Sequence, residues 1–243
     1  MEVNRLNFLI LGASKGLGDA FAKGLPNKGD RVWIVSRSKP DSLKINDGTQ
    51  RVWIEADLSL PSSSDIIAKA INDETIDVFL YNAGIWEKEG FQDSYDFKRD
   101  DPTDIANIIN VNTTSAITCI QKLLPNMKRS ENGKIVLVGS VNGLENNGSK
   151  QVAYVASKFG LRGVGHSLRE NLREYRIGVT CINPGNIAAA IPYEDGLEKA
   201  ISTYDGTRIP VQDMVSLVKC VVNLSNVSCV KEIDIPAMLD TDA

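Results

Sequence analysis

A glycine-rich turn set between an apolar run and a helix-like run constrains this chain more than any other stretch. Leu6-Asn7-Phe8-Leu9-Ile10-Leu11 has the length and nearly unbroken apolar character of a strand buried on both faces of a parallel sheet. It gives way to Gly12-Ala13-Ser14-Lys15-Gly16-Leu17-Gly18 and then to a helical pattern over 19–25. At such a turn Gly12 permits a sharp exit from the strand. Gly16 lets backbone approach a ligand, and Gly18 lets helix and strand pack closely. The free N–H groups at the helix start present a positive dipole end suited to a pyrophosphate. The stretch from Gly12 to Gly18, with Ser14, Lys15 and Leu17 between the glycines, is therefore a candidate dinucleotide cradle.

Short apolar runs recur at 31–35, 51–55, 77–81, 134–138, 178–182 and 230–235, and each reads as a strand. Between the second and third there is room only for a loop or a short helix. Pro61-Ser62-Ser63-Ser64-Asp65 opens a helix with serines suited to capping it, and Asp101-Pro102 is a cap and first-turn pair for another. A longer helix is expected through about 124, one bearing Tyr154 to about 175, and a last one over 214–224. Residues 142–148 are rich in glycine and asparagine and predict a mobile loop, and the run from 186 to 210 predicts an irregular rim. Strands alternating with helices imply an α/β fold: a doubly wound, mostly parallel sheet of about seven strands with helices on both faces. No repeat or linker divides the chain, so residues 1–243 are expected to form one domain.

Composition excludes several functions. The net charge is −4 with both signs scattered, which argues against a nucleic-acid surface and leaves no polybasic membrane patch. No apolar run approaches the roughly 18 residues that span a bilayer, and the N-terminus lacks a signal-peptide layout. Cys119, Cys181, Cys220 and Cys229 are widely spaced in apolar segments, as buried free thiols of a cytoplasmic protein would be. The single histidine, His166, rules out a His-rich metal site and is expected to sit passively on its helix. No metal is expected.

Tyr154 and Lys158 are four apart, hence one turn apart on one helical face. A phenol with an ordinary pKa of about 10 is a poor acid or base near neutrality, but a lysine ammonium beside it stabilises the phenolate and should draw that pKa down. Such a pair suits proton transfer to or from an alcohol or carbonyl oxygen. The second strand ends Val35-Ser36-Arg37-Ser38, without the carboxylate that grips the ribose of NAD. Arg37 and Lys15 would instead attract a 2′-phosphate, so NADP(H) is expected rather than NAD(H).

Gly12-x-x-x-Gly16-x-Gly18, Asp57, Asn82-Ala83-Gly84, Asn112, Ser140, Tyr154-x-x-x-Lys158 and Pro184-Gly185 stand in the order and approximate spacing of the short-chain dehydrogenase/reductase family. The resemblance covers about residues 6–235 and implies a Rossmann-type fold. It further implies reversible carbonyl reduction, in which the nicotinamide transfers hydride while Tyr154 passes a proton to or from the substrate oxygen. In that pattern Lys158 lowers the tyrosine pKa and holds the nicotinamide ribose. Ser140 bonds the substrate carbonyl, and the main chain of Asn112 holds a relay water. Asp57 and Leu58 contact the adenine; Asn82, Ala83, Gly84, Pro184, Gly185 and Ile187 line the cofactor.

The pattern is not complete. Where the family usually places a threonine, four residues past Gly185, this chain has Ala189, so one hydrogen bond to the nicotinamide amide is either missing or supplied by Asn186. The Asp-Gly-Gly common after the last strand of tetrameric members is missing from Ile233-Asp234-Ile235-Pro236-Ala237, which weakens the case for a tetramer. Residues 86–101 are longer and more aromatic than expected; they either shape the substrate pocket or only cover a helix. Small residues at Ala153, Ala156, Ser157, Gly160 and Gly163 imply a homodimer through the Tyr154 helix. The competing expectation is a dinucleotide-binding sensor with little catalysis.

Overall fold

The computed structural model describes residues 5–145 and 148–241. Seven strands form one sheet: β1 (Asn7–Leu11), β2 (Arg31–Ser36), β3 (Gln50–Glu55), β4 (Val78–Tyr81), β5 (Lys134–Val138), β6 (Gly178–Pro184) and β7 (Glu232–Ile235). Their spatial order is β3-β2-β1-β4-β5-β6-β7, and every neighbouring pair is parallel. Strand order reverses between β1 and β4, so connections leave this point in opposite directions and open a crevice at the carboxyl edge.

Alternating side chains divide the sheet into two apolar layers. Leu9, Leu11, Phe79, Tyr81, Ile135, Leu137 and Cys181 pack against α2 (Ser63–Ile71), α4 (Ser115–Met127) and α5 (Val152–Leu172). Phe8, Ile10, Val32, Ile34, Leu80, Val136 and Ile182 face α1 (Gly16–Gly24) and α7 (Val211–Asn223). Helices therefore cover both faces, which is why the strands read as nearly continuous apolar runs.

Several local features depart from expectation. The serines before α2 do not cap it: Ser62 stands at the cap position without a side-chain bond to the turn. Asp101 does cap α3 (Pro102–Ile109), accepting from the Thr103 N–H at 2.7 Å. Between α3 and α4 the chain widens into a π-helical turn, Asn110–Thr114. Helix α4 runs on through Pro125, and Asn126 ties its last turn to the loop after α2, donating to the carbonyls of Asn72 and Glu74 at 2.7 Å each. The expected loop at 142–148 begins as a 3₁₀ turn, Val141–Gly143, while 146–147 lie outside the described residues.

The run 186–210 is ordered rather than irregular. It contains a 3₁₀ turn at Tyr193–Asp195 and α6 (Leu197–Thr203), and it is fastened by main-chain bonds from the Ala188 N–H to Ile209 and from the Ile209 N–H to Asn186. Cys119 and Cys181 are buried, but Cys220 and Cys229 are exposed. His166 is not passive: its Nε2 meets Glu232 at 2.7 Å, beside Arg162, joining α5 to β7. No helix among the described residues is long and apolar enough to cross a membrane.

The glycine turn is set by close approach of backbone to backbone. Gly12 takes φ +81°, and a Cβ there would lie 2.6 Å from the Ala83 backbone. A Cβ on Gly18 would lie 2.1 Å from the Gly12 carbonyl oxygen. Gly18→Ala is therefore expected to destabilise the fold by about 2 kcal/mol or more, lowering Tm by roughly 5 °C or more. In Gly165→Ala the new methyl would stand 3.5 Å from Leu137 in ordinary contact, so that variant should be neutral or stabilising by up to about 1 kcal/mol. Thermal unfolding of the two variants beside the parent checks both.

Candidate active site

A cleft of about 870 Å³ runs along the carboxyl edge, lined by Gly12, Ser14, Lys15, Gly16 and Leu17, by Ser36 and Arg37, by Asp57 and Leu58, and by Asn82, Ala83 and Gly84. These come from the ends of β1, β2, β3 and β4, which the sheet order brings side by side. Lys15 stands at the cap position of α1 and makes no side-chain bond to the turn, so the first N–H groups of that helix open onto the cleft. The Asn82 amide donates to the Gly12 carbonyl at 2.8 Å and locks the two loops together.

The ribose end of the cleft has no acid on β2. Ser36 is buried, donating its hydroxyl to the Ser38 carbonyl at 2.7 Å and accepting from the Trp53 indole at 3.1 Å. Lys15 and Arg37 have no ion pair among the described residues. Asp57 accepts from the Ser59 N–H at 3.0 Å. Burial acts to raise its pKa, yet the Ser59 hydrogen bonds and the charge of Arg37 outweigh it and hold the carboxyl low. Asp41, absent from the expected set, also lines the cleft and is paired with Lys44 at 2.6 Å.

A second cleft of about 350 Å³ holds Ser140 and Tyr154, with Gly185 and Asn186 on one wall and Phe91, Gln92 and Asp93 on another. The segment 86–101 thus shapes this pocket. Ser140 lies just past β5 in extended conformation, its hydroxyl accepts from the Asn142 N–H at 3.2 Å, and it shares the cleft with Tyr154. Lys158, only 5 % exposed, donates to the Val138 carbonyl at 3.0 Å, and its ammonium lies 5.6 Å from the Tyr154 ring centroid. A Cβ on Gly84 would meet that ammonium at 3.5 Å, so Lys158 stands between Gly84 of the first cleft and Tyr154 of the second.

The expected lowering of the tyrosine by lysine is not what the structure holds. Burial raises the Tyr154 pKa, opposed by the Ser140 hydrogen bond and reinforced by the Glu87 carboxylate. The Lys158 ammonium is committed to a carbonyl rather than to the phenol, and burial lowers its own pKa to about 8.

Asn112 is fully buried in the π-helical turn. It accepts from the Ile85 N–H and donates to the Ile85 carbonyl, both at 2.8 Å, and donates to Ser157 at 2.9 Å. Its side chain therefore clips the loop after β4 to α5, a role distinct from the expected main-chain one. Such wide turns are rare and concentrate at functional sites.

Of the other expected residues, Ile187 and Pro184 line neither cleft. Ile187 packs against the α1 and α7 core and bridges to Ile209. The Asn186 amide turns to Asp240 at 3.4 Å instead of offering a free donor. Ala189 faces Gly16, and Pro184 ends β6. Glu87 was not foreseen: a lone glutamate in a polar loop carries no motif. Among the described residues no cluster of His, Cys, Asp or Glu could hold a metal.

Comparison with known proteins agrees with this geometry. The family model described as short chain dehydrogenase matches residues 7–197. The 3-oxoacyl-(acyl-carrier-protein) reductase FabG of Buchnera aphidicola is 31% identical over 192 residues, covering 77% of this chain and 75% of that protein. The Pseudomonas aeruginosa RhlG/NADP active-site complex superposes with TM-score 0.78 at 23% identity, covering 98% of this chain and 97% of the other. A 3-oxoacyl-(acyl-carrier protein) reductase from Brucella melitensis in complex with NAD gives TM-score 0.77 at 20% identity, over 99% of this chain and 98% of that one. With its cradle, its paired clefts and a match across most of its length, the chain belongs to the short-chain dehydrogenase family of oxidoreductases.

Proposed function

We propose that this oxidoreductase is an NADP(H)-dependent carbonyl reductase and alcohol dehydrogenase with Tyr154 as its acid/base. The observation that carries the reading is that Ser140 and Tyr154 share one cleft, with the Lys158 ammonium between Tyr154 and Gly84 of the glycine-lined one. A dinucleotide fits the larger cleft. Its volume of about 870 Å³ lies within the range of small-ligand sites, the helix N–H groups face it, and glycines keep it clear of Cβ atoms. Bound there, a nicotinamide cofactor supplies or accepts hydride.

The protein's own part is to orient the substrate oxygen and to move one proton. Ser140 and Tyr154 direct hydroxyl donors at a carbonyl oxygen in the second cleft, where negative charge develops during reduction. Tyr154 then donates its proton to that oxygen. Its raised pKa keeps it protonated near neutrality, the form that reduction requires. Lys158, at about 8, is largely charged at pH 7 and supports the ribose and the phenolate that forms. The Val138 carbonyl holds it in place meanwhile.

Preference for NADP(H) rests on the buried Ser36, the missing carboxylate and the unpaired Lys15 and Arg37. The named relatives include both an NADP and an NAD complex, so the choice is argued from these residues alone. The substrate is a small carbonyl compound or alcohol, and acetoacetyl thioesters head the screen because relatives bear the 3-oxoacyl reductase name. The exposed Phe159 and Ile117 and the open Gly163 on α5 and α4 offer a face for a homodimer.

Tyr154→Phe is expected to lower kcat by about 10²- to 10⁴-fold while NADPH binding changes less than about twofold. Steady-state turnover and fluorescence titration measure the two, and wild-type turnover in that variant would refute the reading. Ser36→Asp should lower the ratio of kcat/KM for NADPH over NADH by about tenfold or more, through repulsion of the 2′-phosphate. An unchanged ratio sinks the cofactor assignment.

A further inference from the structure

The first turn of α5, which carries Tyr154, is not capped from within its own sequence. Gln151 stands at the cap position but makes no side-chain bond to the turn; its amide reaches the Gly90 carbonyl instead. The cap comes from Glu87, more than sixty residues earlier in the chain. One carboxylate oxygen accepts from the Ala153 N–H at 2.8 Å and from the Tyr154 N–H at 3.1 Å. Glu87 is only 4 % exposed, and its other oxygen has no hydrogen-bond partner among the described residues. No cation pairs with it there.

The same short segment touches the tyrosine in other ways. Phe91 packs edge-on to the Tyr154 ring at 6.0 Å and is itself braced by Trp86 at 5.6 Å. Tyr95 approaches the Val152 N–H, the first donor of the turn, and gives its own hydroxyl proton to Asp100 at 2.6 Å. A buried, half-satisfied carboxylate costs stability, so its retention beside one phenol needs a reason beyond capping. A neutral serine or asparagine would cap as well.

We propose that Glu87 is a positioning residue for the reaction, a buried carboxylate that clamps the backbone of Tyr154 and keeps a negative charge, paired with no cation among the described residues, beside it. The inference rests on the reading of Tyr154 as the acid/base. The groups facing that phenol are Lys158 on its own helix, Ser140 after β5, and Glu87 from the segment 86–101; Asp93 and Lys150 stand on the same cleft. Burial is the main cause of the raised Tyr154 pKa, and the neighbouring carboxylate adds to it by disfavouring the phenolate. Glu87 thereby holds the proton on Tyr154 until charge develops on the substrate oxygen, biasing the enzyme toward reduction.

Glu87→Gln keeps an oxygen acceptor and removes the charge; Glu87→Asp keeps the charge and draws it back by one methylene. The phenol is titrated from the absorbance of each protein minus that of its Tyr154→Phe counterpart near 295 nm, with NADP⁺ present. Carbonyl reduction is followed against pH alongside. In Glu87→Gln the phenol midpoint should fall below the parent's. The alkaline loss of reduction moves down with it, because reduction needs the protonated phenol, and alcohol oxidation near neutrality rises. In Glu87→Asp the midpoint should stay while kcat falls by about tenfold from the loosened turn. NADPH binding should change less than about twofold in both.

A Glu87→Gln midpoint equal to the parent's overturns the proposal, as does wild-type kcat in Glu87→Asp. Should Glu87→Gln fail to fold, the Asp variant still decides, by its kcat against its unmoved midpoint. Full activity in Tyr154→Phe defeats the functional reading itself. An inactive Tyr154→Phe with an unmoved Glu87→Gln midpoint defeats only the present inference.

Discussion

Backbone pressed against backbone at the carboxyl edge of the sheet is the constraint on which the rest depends. The loop after β4 comes so near the Gly12 turn that no side chain fits between them, and α1 lies so near that turn that Gly18 admits none either. The Asn82 amide closes the gap by holding the Gly12 carbonyl. This contact fixes where α1 begins, and so aims its uncapped N–H groups into the crevice between β1 and β4. A looser turn would leave the sheet intact and the cradle without a shape.

From that edge a chain of buried polar contacts leads to the second cleft. Asn112 ties the loop at Ile85 to Ser157 on α5, and Ser157 in turn donates to the Tyr154 carbonyl at 2.6 Å. Lys158 is held by Val138 at the end of β5, one strand away from the cradle. Burying a lysine and a glutamate within one turn of a phenol costs several kcal/mol of desolvation that apolar side chains would not. The fold accepts that cost where positions of a proton and of a charge must be specified, which is where local stability rules are usually broken.

Much of this was legible in the sequence because it follows from local chemistry. Apolar runs bounded by turns marked all seven strands, and Asp101-Pro102 marked the start of α3. The glycine spacing named the cradle, since only glycine survives at φ +81° against the Ala83 backbone. What the sequence could not show depends on contacts between distant segments. The π-helical turn exists because Asn110, Asn112 and Thr113 find partners at Ser59, Ile85 and Ser157, none of them nearby in sequence. Ile187 turns into the core because Ile209 pairs with it, and the Asn186 amide reaches Asp240 across more than fifty residues. The tyrosine pKa was misjudged because spacing placed the lysine on the right face but could not reveal that a carbonyl claims its ammonium.

The account turns on hydride passing in one cleft while a tyrosine proton passes in the adjoining one. Reduction of a panel of carbonyl compounds, acetoacetyl thioesters among them, with NADPH deuterated at C4 tests this most directly. The account predicts that mass spectrometry finds deuterium on the carbinol carbon of the product and solvent hydrogen on its oxygen. Label retained by the nucleotide or lost to water, with no carbonyl of the panel reduced, would contradict it.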